Sequence, residues 1–327
     1  MKAIVIDESS PNRELRWETV PDPEVGRTDL LIAVKATGLN RADLRRAATH
    51  FAATDGRKPA AIAGLELAGE IMAMGPEVTG FAVGDRVMAM AGSAFAEKTT
   101  IDYRFAIRVP SSMSWESAAA TPISFITAHN ALVTAGGFKQ GESVLVQGAS
   151  SGAGIATVQI ARFKGASVIF GTAGTPEKLE RLRDLGCGVT INYRTNDTAA
   201  IVREKTDALG VDVVVDYAGG NTLQGSIDAA SVRGRIVCAG RVAGVDATFN
   251  LDEFSRKQLR MTGVTNRTRT LPERFEVVRA FRDDLLPAIE KGLLVPVIDS
   301  VYALEDAESA YQHMNRNAHF GKILLKL

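Results

Sequence analysis

Cysteine is scarce. With only Cys187 and Cys238 in 327 residues, the chain has no disulfide framework and cannot by itself build a cysteine-rich metal site. A reducing cytoplasm is the compartment that fits. An excess of charge is lacking too: 38 Lys and Arg face 38 Asp and Glu, so the balance offers no electrostatic handle for nucleic acid or an acidic membrane. His50, His129, His313 and His319 are scattered and never fall at ligand spacing. Long apolar runs are missing as well. Ala3-Ile4-Val5-Ile6 gives way at once to Asp7 and Glu8, too short for the core of a signal peptide. The stretch from Ser117 to Phe138 has no charge, yet it holds Pro122, His129 and Asn130, which predicts a buried helix with a polar edge and not a bilayer span. No internal repeat, low-complexity tract or Pro/Ser-rich linker is evident.

What is present is an ordinary globular composition, 46% apolar and 23% charged, in a length that suggests about two domains. The first hundred residues read as short strands (Ala3–Ile6, Leu30–Lys35, Leu67–Met74) broken by Gly75, Gly80 and Gly84, the pattern of a small barrel-like β domain. After Pro110, strand-like runs at Ser143–Gln147, Ala166–Phe170, Val189–Ile191, Val211–Val215 and Arg235–Ala239 alternate with helical segments Ile155–Lys164, Glu177–Leu185 and Thr198–Leu209. That alternation predicts a doubly wound parallel sheet with ligands at the carboxyl ends of its strands. The last sixty residues return to mixed character: a helix near Pro272–Lys291, a strand near Val297–Tyr302, a helix Glu305–Met314 and a strand Lys322–Leu327.

The most informative stretch is Gly148-Ala149-Ser150-Ser151-Gly152-Ala153-Gly154, set between a strand and a helix. Small residues let the backbone approach a pyrophosphate, and the helix N-terminus offers N–H groups and partial positive charge. The strict G-x-G-x-x-G spacing is not met, because Ala149 and Ser151 stand at the two earlier positions. A bare strand–helix junction is the competing reading; the βα units that follow favour a dinucleotide. The end of the second strand, where NAD-binding sheets usually carry a carboxylate for the ribose, reads Ile169-Phe170-Gly171-Thr172-Ala173-Gly174. Without a carboxylate to repel a 2′-phosphate, and with Thr172, Lys178 and Tyr193-Arg194 nearby, the expectation is NADPH over NADH.

Thr37-Gly38-Leu39-Asn40-Arg41-Ala42-Asp43, Gly64-Leu65-Glu66-Leu67-Ala68-Gly69, Gly84-Asp85-Arg86-Val87, the Gly148–Gly154 turn, Ile191-Asn192-Tyr193-Arg194 and Gly321-Lys322-Ile323-Leu324 follow one another in an order that resembles the medium-chain dehydrogenase/reductase superfamily. Within it, the chain resembles the zinc-free NADPH:quinone oxidoreductase-like group, over essentially its whole length. The resemblance implies a Rossmann doubly wound parallel sheet inserted in a GroES-like β-barrel catalytic domain: residues 1–123 and 267–327 for the GroES-like part, 124–266 for the NADPH-binding part, usually as a homodimer.

Zinc-dependent alcohol dehydrogenases of that superfamily hold catalytic zinc with Cys, His and Cys. Aligned by motif, those places carry Asn40, Leu65 and Ile123, and aliphatic side chains cannot ligate zinc. No metal is therefore expected. Without a Lewis acid to hold a developing alkoxide, a simple ketone is a poor hydride acceptor. A quinone or conjugated carbonyl spreads the arriving charge itself, and positioning with hydrogen-bond donors then suffices.

By the same resemblance, Asn40 would be a neutral donor to the acceptor oxygen, Thr127 would lie close to the nicotinamide, and Gly240 and Val264 would stand at strand ends whose backbone holds the carboxamide. Arg45 occupies the place where some relatives carry an aromatic residue, and could donate to the acceptor. Asn40 could equally bond its own loop, and Arg45-Arg46 could be a solvated pair. Glu66, with no metal to serve, reads as a structural carboxylate bonded to a neighbouring arginine or to backbone. The partner expected is a small conjugated carbonyl or quinone, with no nucleic acid and no membrane. The competing functions are an enoyl-type reductase of a 2-enoyl thioester or enone, and an NADPH-binding protein without catalysis.

Overall fold

Period-two alternation in the first hundred residues folds as antiparallel strands. In the computed structural model, which describes residues 1–7, 14–43 and 62–327, these are β1 (Lys2–Ile6), β2 (Leu15–Thr19), β3 (Asp29–Gly38), β4 (Glu66–Met74), β5 (Arg86–Met90), β6 (Lys98–Asp102) and β7 (Ile107–Arg108). On β3, Leu30, Ile32, Val34 and Ala36 turn inward while the residues between them are more exposed. Leu30, Ile32 and Val34 pack with Leu67, Ile71, Val87 and Ile101, each such side chain contributing about 1.5–3 kcal/mol when fully buried.

The uncharged stretch after Ser114 is helical but broken. α1 (Trp115–Ala120) and α2 (Pro122–His129) are separate, and a π-helical turn, Asn130–Ala135, follows. Pro122 has no N–H and cannot continue α1, so a new helix starts there.

The next segment is a parallel sheet: β8 (Val144–Gln147), α3 (Gly152–Phe163), β9 (Ile169–Ala173), α4 (Pro176–Asp184), β10 (Val189–Asn192), α5 (Thr198–Lys205), β11 (Val211–Asp216), α6 (Thr222–Ala229), β12 (Ala230–Cys238), α7 (Leu251–Arg256) and β13 (Arg260–Gly263). Its strand order is β10-β9-β8-β11-β12-β13, with every neighbouring pair parallel. The order reverses beside β8, so the strand end at Gln147 opens on a topological switch point, where ligands bind in sheets of this kind.

The chain then returns to the first sheet. After α8 (Leu271–Glu290) come β14 (Ile298–Ala303), α9 (Ala307–Asn315) and β15 (Lys322–Lys326). β15 pairs antiparallel with the C-terminal half of β3, while β6 pairs with its N-terminal half, giving the order β14-β15-β3-β4-β5-β7. By contact the chain divides into two units. One is Met1–Ile123 with Asn266–Glu290 and Val295–Leu327; the other is Ser124–Thr265 with Lys291–Leu294. No helix among the described residues is long and apolar enough to cross a membrane.

Candidate active site

In the first unit, β3 delivers Asn40 two residues past its end, and β4 and β15 bring Glu66 and Lys322 to it. Lys322 Nζ donates to Leu39 O at 2.7 Å, Asn40 Oδ1 at 2.8 Å and Glu66 Oε1 at 2.5 Å. Asn40 Nδ2 donates to Gly38 O at 3.1 Å and Glu66 Oε1 at 3.0 Å. The second carboxylate oxygen of Glu66 accepts from the N–H of Ile123 at 2.8 Å. Three ammonium hydrogens and two amide hydrogens thus make five hydrogen bonds to four acceptor atoms, Glu66 Oε1 taking two, and the cluster is closed. Both amide hydrogens of Asn40 are held inside the cluster, one by backbone two residues earlier, which is the alternative reading of this residue. Glu66 is the structural carboxylate expected and bonds backbone at Ile123, but its ionic partner is Lys322 in place of an arginine. Leu65, at a zinc-ligand place of the alcohol dehydrogenases, is buried.

Asp43 is buried beside this cluster. Its Oδ2 accepts from Asn40 N–H at 2.6 Å; its Oδ1 and the buried Tyr311 hydroxyl on α9 have no hydrogen-bond partner at normal distance. Burial pushes the Asp43 carboxyl up to about 8, against the Asn40 N–H and the Lys322 ammonium, which pull it down. Burial first, and Asp43 second, hold the Tyr311 phenol well above its ordinary value. Arg41 ties the same loop to the end of α9 through Met314 O at 3.1 Å and Asn317 Oδ1. Sequence reasoning missed Lys322, Asp43 and Tyr311 as a group, because no local spacing joins β15 and α9 to the loop after β3. Arg45 and His50 lie outside the described residues. Among the described residues, no three His, Cys, Asp or Glu side chains are grouped to hold a metal ion.

In the second unit the turn after β8 takes the expected form. Gly148 sits at φ +73°, and Ser151 caps α3, its Oγ accepting from Gly154 N–H at 3.1 Å. A Cβ on Gly154 would stand 2.4 Å from Gly148 O, so only glycine lets helix and turn approach this closely. The N–H groups of Gly152 and Ala153, in the first turn of α3, lack intrahelical partners by position and suit an anion. With Ala149 and Ser150 completing a run of small residues, the cradle fits a dinucleotide pyrophosphate.

Thr172 is different from expectation. It is buried, its Oγ1 accepting from Gly148 N–H at 3.0 Å and donating to Gln147 Oε1 at 3.0 Å, so its hydroxyl braces the turn and is not offered to a ligand. Beyond the end of β9, the turn after β10 comes close to Gly174: a Cβ there would be 2.8 Å from Tyr193 Oη and 3.0 Å from Arg194 Nε. Tyr193 is exposed, with the Arg194 guanidinium 6.0 Å from its ring centroid, and Lys178 is half-buried in the first turn of α4. Tyr193, Arg194 and Gly174 are thus brought together at one strand end. Gly240 and Val264 follow β12 and β13, their N–H groups bonded to Asp216 O at 3.0 Å and Cys238 O at 3.1 Å. Thr127 is half-buried near the end of α2.

Comparison with known proteins agrees with this geometry. Residues 26–111 match the family model "Alcohol dehydrogenase GroES-like domain" and residues 152–281 the model "Zinc-binding dehydrogenase". The chain is 31% identical to the 2-haloacrylate reductase of a Burkholderia species, over 99% of its own length and 98% of that protein. It is also 31% identical to the quinone oxidoreductase of Lama guanicoe, over 100% of its length and 98% of that protein. The chain belongs to the medium-chain dehydrogenase/reductase superfamily, in its quinone oxidoreductase-like group. Membership of this group accounts for the two larger sheets, that of the GroES-like first unit and the parallel one of the second. A solved mycobacterial member complexed with NADPH superposes with a TM-score of 0.87 at 28% identity, covering 100% of both chains. The CurK enoyl reductase gives 0.85 at 26%, over 99% and 98%. The family domain also recurs inside much longer proteins: the chain is 34% identical to erythronolide synthase EryA2 of Saccharopolyspora erythraea over 94% of its length. It spans only 8% of that synthase, and 5% and 12% of two other polyketide synthases.

Proposed function

We propose that this chain is an NADPH-dependent reductase that passes hydride to a quinone or a similar conjugated carbonyl without a metal ion. The observation that carries the reading is the closed cluster of Asn40, Glu66 and Lys322. Every hydrogen of its amide and its ammonium already has an acceptor inside the protein. An acceptor meeting this cluster gains no new donor from it for a localised alkoxide. A conjugated acceptor needs less, since its own π system carries the charge.

NADPH, when bound, supplies the hydride. The Gly148–Gly154 turn holds the pyrophosphate, with the free N–H groups at the start of α3 as donors. Tyr193, Arg194 and Lys178 would hold the 2′-phosphate, whose charge would meet no carboxylate in Ile169–Gly174. Within the second unit, the backbone at Gly240 and Val264 and the side chain of Thr127 would hold the nicotinamide end, and Asn40 remains the candidate catalytic residue of the first unit. Arg45 remains a candidate donor to the acceptor. The first unit is the catalytic domain, the second the NADPH-binding domain. The protein works as a cytoplasmic homodimer, a reading supported by β13, an edge strand with three of four residues exposed.

A second reading, reduction of a 2-enoyl thioester or enone, is favoured by the match to polyketide synthases and to the CurK enoyl reductase. The test is a steady-state comparison of naphthoquinone, a crotonyl thioester and an alkyl ketone, each with NADPH and NADH, with and without a chelator. Chelator-insensitive, NADPH-preferring turnover of the quinone is expected. Faster turnover of the thioester selects the second reading, and turnover of the ketone alone overturns both.

A further inference from the structure

We propose that Gln147, Thr172 and Ser226 are positioning residues for the cofactor, forming one buried hydrogen-bond chain that couples the pyrophosphate turn to the turns after β11 and β12. The inference rests on reading the second unit as the NADPH site. The chain begins at the turn: Gly148 N–H donates to Thr172 Oγ1, and Ala149 N–H donates to Thr172 O, both at 3.0 Å. Thr172 Oγ1 donates onward to Gln147 Oε1 at 3.0 Å. Gln147 Nε2 donates to Ser226 Oγ on α6 at 3.4 Å, and Ser226 Oγ to Asp216 Oδ2 at 3.5 Å. Asp216 then holds the far side. Its Oδ1 accepts from Ala218 N–H at 2.8 Å and Gly219 N–H at 2.9 Å, its Oδ2 from Thr222 Oγ1 at 2.9 Å. Its carbonyl accepts from Ala239 N–H at 2.8 Å and Gly240 N–H at 3.0 Å.

Two features set this chain apart from incidental polar filling. All four side chains, three near strand ends and Ser226 on α6, are buried with 0–3% of each exposed, where apolar residues would pack at less cost. Each link also has a defined donor and acceptor. The Gln147 amide points with Nε2 to Ser226 and Oε1 to Thr172, because Ser226 gives its own hydrogen to the Asp216 carboxylate and can only accept from Gln147. The peptide plane that enters the left-handed Gly148 is thereby fixed from a helix on the other side of Gln147. The same Asp216 sets the backbone of Gly240, so one chain joins the place meant to hold the pyrophosphate to the place meant to hold the carboxamide.

The test uses Thr172→Val, Thr172→Ser, Ser226→Ala and the Thr172→Val/Ser226→Ala double variant of the full chain. NADPH affinity is measured by fluorescence titration, and amide hydrogen exchange of residues 147–154 in the protein without cofactor. Thr172→Val should weaken NADPH about tenfold while kcat at saturating cofactor stays within about twofold, and Thr172→Ser should restore affinity. Ser226→Ala, which touches no part of the turn, should weaken NADPH about threefold and speed exchange in 147–154, with the double variant less than multiplicative. Exchange at 147–154 unchanged by Ser226→Ala, or independent effects in the double variant, overturns the inference. If Thr172→Val fails to fold, Ser226→Ala decides by the same exchange measurement. A wild-type protein that binds no NADPH, with exchange still coupled, overturns the cofactor reading and leaves the structural coupling standing; loss of coupling with NADPH still bound does the reverse.

Discussion

Lys322 Nζ lies 2.5 Å from Glu66 Oε1, with 6% and 0% of the two side chains exposed. Such a pair gains little over well-packed apolar residues, but removing one partner strands the other charge, at about 3–5 kcal/mol. Lys322→Met should therefore lower the unfolding free energy by that order in urea denaturation, and Lys322→Met/Glu66→Leu should recover part of it. A single variant as stable as the parent would show that the pair does not hold these strands.

Asp43 gives a pH signature. Its folded carboxyl titrates at about 8, above the ordinary value of 3.8, chiefly through burial. Between those limits the folded chain holds a proton that the unfolded chain has released, so this group's contribution to stability falls as pH rises and levels off above about 8. Asp43→Asn keeps an acceptor for Asn40 N–H and adds a donor facing Tyr311. Relative to the parent, this variant should gain stability steadily between pH 5 and pH 8 in chemical denaturation. A constant difference across that range would count against the assignment.

Lys178 and Arg194 test the cofactor preference. Lys178→Ala and Arg194→Ala should each raise the NADPH KM about tenfold, the scale of a lost charged contact, and leave the NADH KM unchanged. Equal loss for both cofactors would place these side chains away from the 2′-phosphate.

Gly154→Ala should be severe, since the added methyl meets Gly148 O at 2.4 Å and Ala149 Cα at 2.7 Å, both backbone atoms. Overpacking of this kind costs about 1–3 kcal/mol. Separation of α3 from the turn should appear as a fall in Tm together with loss of NADPH binding in calorimetry.

The thiols should be unreactive. Burial pushes Cys187 up to about 12, and Cys238 is also raised by burial and by the nearby Asp216. Iodoacetamide at pH 8 should label neither residue until the protein is denatured, as read by mass spectrometry.

Much of the fold was legible because its signals are local. The glycine-rich turn and the βα alternation both act within a few residues, whereas the N-caps at Ser151 and Thr175 start their helices earlier than the apolar spacing suggests. Misplaced boundaries have local causes as well. β9 begins at Ile169, later than the apolar run suggests, because Ala166 N–H closes α3 on Ala161 O and Ser167 N–H bonds Glu142 O. α5 ends at Lys205, before Leu209, where Asp207 and Ala208 take positive φ. β2 went unseen: its residues are mostly exposed and alternate weakly. The site was legible only in part. Small residues announce a phosphate turn, but nothing local marks Thr172 as a brace in place of a ligand contact, or the hydrogens of Asn40 as spent. Both facts depend on partners, Gln147 across the sheet and Lys322 at the far end of the chain.

The separation of Glu66 and Lys322 by 256 positions has a consequence for biosynthesis. The parallel sheet is one almost unbroken stretch and can assemble while translation continues, whereas β3 lacks its β15 neighbour until residues 322–326 leave the ribosome. Until then Glu66 has no counter-charge and stays hydrated. Closing Lys322 onto Glu66 also settles Asn40, because the same ammonium donates to Asn40 Oδ1.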